Sequence, residues 1–152
     1  MATSVLGSVI TQLISSLQGA GSLSGIRVFD GLEIDNTYVG DFISIGCDNV
    51  DSDEIINGSF RQEYKQLGAV TKFEYGTVNC LLASTDGTVD TASRRTQALT
   101  LLAAVENVIR ADVSLGGIVI WSDFATGQMS TRQTAQGVGV LINFQITYQA
   151  KI

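Results

Sequence analysis

Residues 138–152 read VGVLINFQITYQAKI. Val138, Val140, Ile142, Phe144, Ile146, Tyr148, Ala150 and Ile152 alternate with Gly139, Leu141, Asn143, Gln145, Thr147, Gln149 and Lys151. Side chains on a strand point to opposite faces with period two, so the run is a long strand with one apolar and one mostly polar face. The polar face uses amides and a hydroxyl where Lys and Glu are the usual solubilisers, and it carries a single charge. An uncharged polar face costs less to desolvate than a charged one, and amides both donate and accept hydrogen bonds.

Working outward, residues 91–111 hold the strongest helical pattern. Ala98, Leu101, Leu102, Val105, Val108 and Ile109 form one apolar stripe, Asp90 stands at the N-cap position, and Leu115-Gly116-Gly117 follows the end. The apolar face of the final strand is expected to pack on this helix. A strand over 118–123, a polar loop over 124–136 and the final strand make a closing hairpin. Residues 59–66 and 71–84 read as an antiparallel pair around Leu67-Gly68-Ala69, and a turn over 85–90 centres on Asp86-Gly87. Residues 42–47 are a strand with Ile43, Ile45 and Cys47 on one face. Residues 26–29 and 32–35 flank Asp30-Gly31, a pair that favours a tight hairpin because Gly accepts positive φ. Residues 5–17 are apolar at 5, 6, 9, 10, 13, 14 and 17, an amphipathic helix that Thr3 or Ser4 can cap. A Gly- and Ser-rich stretch, GAGSLSG (19–25), follows as a hinge. The order predicts an α+β fold: a mainly antiparallel mixed sheet packed by one long helix, with an additional N-terminal helix. At 152 residues it is expected as one domain, with helix 1–18, hinge 19–25 and body 26–152.

Hydrophobic residues make up 45% of the chain and charged residues 16%, a globular composition. The net charge of −6 argues against a nucleic-acid binder that works through a basic patch. The charge is lopsided. Eight acids lie between Asp30 and Glu54 with no base between Arg27 and Arg61, whereas from Asp90 onward five bases meet four acids. The first 26 residues have no charged side chain, but they lack the basic start and continuous apolar core of a signal peptide, and the helix there is too short and polar to span a bilayer. A soluble protein with free, buried Cys47 and Cys80 is expected.

Catalytic constellations are missing from the pattern. There is no histidine, and no Ser or Cys has an obvious base partner. Asp51-Ser52-Asp53-Glu54 resembles a calcium loop but lacks its central Gly, and Ile55-Ile56 stand where oxygen ligands belong. The glycine pairs at 19–21 and 137–139 do not open a helix with phosphate-loop spacing. The expectation is a non-enzyme without metal or cofactor. Surfaces remain. Arg94 and Arg95 sit in the first turn of the long helix, where the helix dipole disfavours cations; they are either solvated or set against an acidic partner. Arg132 and Gln128, in GQMSTRQTAQ (127–136), suit contact as well as water.

Four stretches carry a family resemblance: VFDG (28–31) with GDFISIGCD (40–48); GSFRQEYKQLG (58–68) with FEYGTVNCLLAS (73–84); SRRTQALTLLAAVENVIRADVSLGG (93–117); and GQMSTRQTAQGVGVLINFQITYQAKI (127–152). In this succession the chain resembles the tail terminator (tail completion, or minor tail) proteins of long-tailed bacteriophages. It departs from them in having no proline after the Asp-Gly pair. The resemblance implies a ring, usually hexameric, in the virion at the head-proximal end of the tail. Such a ring is assembled in the host cytoplasm, ends tube polymerisation and joins the tail to the head connector. Its partners would be further copies of itself, the tail tube protein and the connector, with DNA passing the bore unbound and no membrane involved. On this view Arg94, Arg95, Arg132, Gln128, Asn143, Gln145 and Thr147 are subunit-interface candidates. Asp48, Asp51, Asp53 and Glu54 either line the bore or pair with a neighbour's arginines. A tail tube or neck (head-closure) ring is the alternative role, and a soluble ligand-binding domain the more distant one.

Overall fold

A computed structural model describes residues 3–31, 40–49, 53–87, 89–135 and 137–152. Two helices, α1 (Leu6–Gln18) and α2 (Thr91–Ala111), lie on one face of a six-stranded sheet. Its strands are β1 (Arg27–Asp30), β2 (Phe42–Ile45), β3 (Gly58–Tyr64), β4 (Lys72–Thr85), β5 (Trp121–Thr134) and β6 (Gly137–Lys151). The order is β1-β2-β4-β6-β5, with β3 also paired to β4. All pairings are antiparallel except β1 with β2. This is the α+β fold, with a mixed and mostly antiparallel sheet, that the order of elements in the sequence predicts.

β4 and β6 form the spine, paired from Phe73↔Lys151 to Thr85↔Gly139. Every apolar residue of the alternating run from Val138 to Ala150 is buried. They meet Ala98, Leu101, Val105 and Ile109 of α2, so the stripe and the strand face each other. Asp90 caps α2 as expected: its carboxylate accepts from Ser93 N at 3.2 Å and from Ser93 Oγ at 2.6 Å. α1 buries Val9, Leu13 and Leu17 beside β1 and β2, each worth about 1.5–3 kcal/mol of apolar burial. At its start Ser4 Oγ accepts from Leu6 N at 3.1 Å. Between α1 and β1, Gly21–Leu23 is a 3-10 turn that seats Leu23 in the core.

Two expectations need correcting. The strand ending at Asp30 pairs in parallel with β2, and the other arm of the expected hairpin, residues 32–35, lies outside the described residues. The polar loop expected over 124–136 is strand: β5 runs from Trp121 to Thr134 along β6. A bulge between Phe124 and Thr126 shifts the register, so inward positions change from Ser122 and Phe124 to Gly127, Met129 and Thr131. That phase change erases the period-two signal, and beyond the bulge β5 is exposed on both faces.

Candidate interaction surfaces

The sheet face away from the helices carries the amides. Gln145 donates to Asn79 Oδ1 at 3.0 Å and accepts from Thr126 Oγ1 at 3.3 Å. Gln149 accepts from Trp121 Nε1 at 2.8 Å and donates to the Tyr75 hydroxyl at 3.3 Å. Thr147 sits between them, opposite Thr77 and Asp123. Gln145 and Gln149 thus tie side chains of β4, β6 and β5 together laterally across three strands, which orders the face beside the carboxylate of Asp123. Asn143 Oδ1 is buried without a hydrogen-bond partner.

Asn79 organises this face, and sequence reasoning missed it. Its carbonyl accepts from Gly46 N at 2.8 Å and Cys47 N at 3.0 Å, while its own N donates to Asn57 O at 3.0 Å. β2 therefore hands over to β3 along β4 at Asn79, with Gly46 at φ +80° making the bend. The acidic loop leaves the sheet at this seam. Asp48 Oδ1 accepts from Ile56 N at 3.0 Å and ties the loop's ends together. Asp53 and Glu54 are exposed, and Asp51 lies outside the described residues. The fold gathers Asp48, Gln128, Asn143 and Gln145 around one open depression of about 390 Å³. Arg132 stands further along β5, opposite Gly139 and exposed. Among the described residues, no group of three or more His, Cys, Asp or Glu is placed to hold a metal ion.

Arg94 and Arg95, at the start of α2, are not part of this face. Arg94 bridges within its own chain, with Nη2 2.8 Å from Asp86 Oδ2 and Nη1 donating to Ser84 Oγ at 3.2 Å; its side chain is 15% exposed. Ser84 Oγ in turn donates to Asp41 Oδ1 at 2.8 Å, and Gln97 donates to Asp41 Oδ2 at 3.1 Å. Arg94 thereby ties the start of α2 to the end of β4, a role its sequence position gave no sign of. Arg95 is exposed on α2.

A second polar cluster sits inside the fold. Glu74 is fully buried, and its Oε1 accepts from Tyr148 OH at 2.7 Å, Ser4 Oγ at 3.0 Å and Val5 N at 3.2 Å. Oε2 accepts from Gln62 Nε2 at 2.8 Å. The carboxyl group sits at the N-terminus of α1, where backbone N–H groups and the helix dipole favour an acceptor. Gly76, paired with Tyr148, leaves room for the phenol ring where a Cβ would overlap it. Burial first, then Glu74, push the Tyr148 hydroxyl well above its ordinary value of 10.0.

These features define a two-layer α+β domain with an amide-rich, laterally bonded sheet face, an acidic loop beside it and an open edge strand. The fold is shared with a chain in the solved virion of a native gene transfer agent (GTA) particle. The likeness has a TM-score of 0.60 at 14% sequence identity and covers 99% of this chain and 100% of that one. At that identity it is a likeness of fold. No family model matches the sequence, and no curated protein matches it. No helix among the described residues is long and apolar enough to cross a membrane.

Proposed function

We propose that the chain is a structural virion protein, without catalytic activity or cofactor, that forms a ring at the head-proximal end of a phage-type tail. There it ends tube polymerisation and presents a surface for joining the head. The observation that carries this reading is the end-to-end fold likeness to a chain of a gene transfer agent virion, with neither chain leaving a large segment unmatched. Two features of the surface support it. The amide face of β4, β6 and β5 can be desolvated at low cost, and β5 offers an unpaired strand edge to a neighbouring copy. Asp48, Asp53 and Glu54 either face a bore, where they would repel the phosphates of passing DNA, or pair with basic groups of a neighbouring copy.

Deletion of the gene from a particle-producing genome tests the role. The expected products are headless tails whose tubes run past their normal length. Headed particles with normal tails would overturn the reading, and tails with no tube at all would point to a tube subunit.

A further inference from the structure

The chain's three lysines, Lys65, Lys72 and Lys151, gather at one end of a molecule with net charge −6. A cleft of about 420 Å³ there is lined by Phe73, Lys65, Lys151 and Val70. Lys65 Nζ lies 5.8 Å from the centre of the Phe73 ring, and Lys151 is the direct cross-strand neighbour of Phe73. The β3–β4 turn above it holds Leu67 and Val70 at 105% and 90% exposure. Apolar side chains this bare beside a basic, aromatic-lined cleft fit an occupant that is acidic and apolar at once.

A segment of this kind ends the acidic stretch that holds eight acids between Asp30 and Glu54. Asp53 and Glu54 are exposed, and Ile56 beside them is 52% exposed. This segment cannot reach the cleft of its own chain. The loop is held at Asn79 through Gly46, Cys47 and Asn57 and closed by the Asp48–Ile56 bond, while the cleft sits at Phe73, six residues or about 20 Å away along β4. We infer that the lysine-lined cleft of one copy takes the Asp53–Glu54–Ile56 segment of a second copy. The contact is head-to-tail, so each copy uses both surfaces and the chain of contacts closes into a ring when the rotation permits. This deepens the ring reading and rests on it.

The test is a charge exchange in the full chain, read by light scattering across a concentration series and by electron microscopy. Lys65→Glu with Lys151→Glu, or Asp53→Lys with Glu54→Lys, is expected to weaken self-association by at least about tenfold. Mixing the two double variants, or combining all four changes in one chain, is expected to restore it, which a mere folding defect would not do. Rings from both double variants at wild-type concentrations would overturn this contact and leave the ring reading standing. A wild-type chain that stays monomeric throughout would overturn both. Loss of binding to anionic vesicles in Lys65→Glu/Lys151→Glu, with self-association intact, would assign the cleft to a lipid surface and overturn the inference.

Discussion

Glu74 and its neighbours show how single residues hold this fold. The carboxyl group accepts from four donors, so its surroundings are tuned to an acceptor. Glu74→Gln places an NH₂ group among those donors and is expected to cost about 1–3 kcal/mol in denaturant unfolding. Gly76→Ala drives a methyl into the Tyr148 ring and is expected to cost a similar ~1–3 kcal/mol. The same site sets a pH limit. Tyr148, and the Cys80 thiol pushed up from 9.0 by burial, both have folded-state values above their unfolded ones. A raised acid is held in its neutral form by the fold, so its contribution is complete below pH 9 and drains as pH climbs past 9 and 10. Thermal melts from pH 8 to pH 11 should therefore show a falling Tm, and Tyr148→Phe should flatten the fall while lowering Tm at pH 8. Glu74 was partly legible: in FEYGTVNCLLAS it stands in phase with Val78, Cys80 and Leu82, on the buried side. Its partners were not, because Ser4 and Gln62 come from distant elements. The partners of Arg94 were hidden for the same reason, since Ser84 and Asp86 reach it only after β4 folds back on α2.

At the scale of elements, legibility followed burial. β6 and α2 each bury one continuous stripe, and their periods survive in the sequence. β5 buries little beyond its bulge and changes phase at Ala125, so its composition reads as loop. β1 is four residues long, and its parallel partner β2 lies across residues 32–39, where Asp-Gly chemistry suggested a nearer one. The stability map follows the same division. Leu13→Ala in α1 empties a fully buried site and is expected to cost about 2–5 kcal/mol. Met129→Lys in β5, where the side chain is 43% exposed, is expected to change stability by no more than about 0.5 kcal/mol. Equal costs for the two in urea unfolding would mean that β5 is covered within a single copy.

In the whole molecule, the helix-covered layer supplies stability, and on the proposed reading the amide-rich sheet face and its flanking charges serve assembly. The amide strand of residues 138–152 was readable as two-faced from sequence; its lateral hydrogen bonds to Asn79, Thr126, Trp121 and Tyr75 required the sheet order. Gln145→Glu should leave circular dichroism close to wild type, because the position is exposed, yet abolish assembly by placing like charges on a shared face. Thr147→Glu, directly opposite Asp123, should also lower Tm. Ring formation is tested by electron microscopy of the purified wild-type chain at rising concentration. Closed single rings of uniform diameter are the predicted result, and either open-ended tubes or persistent monomers would contradict it.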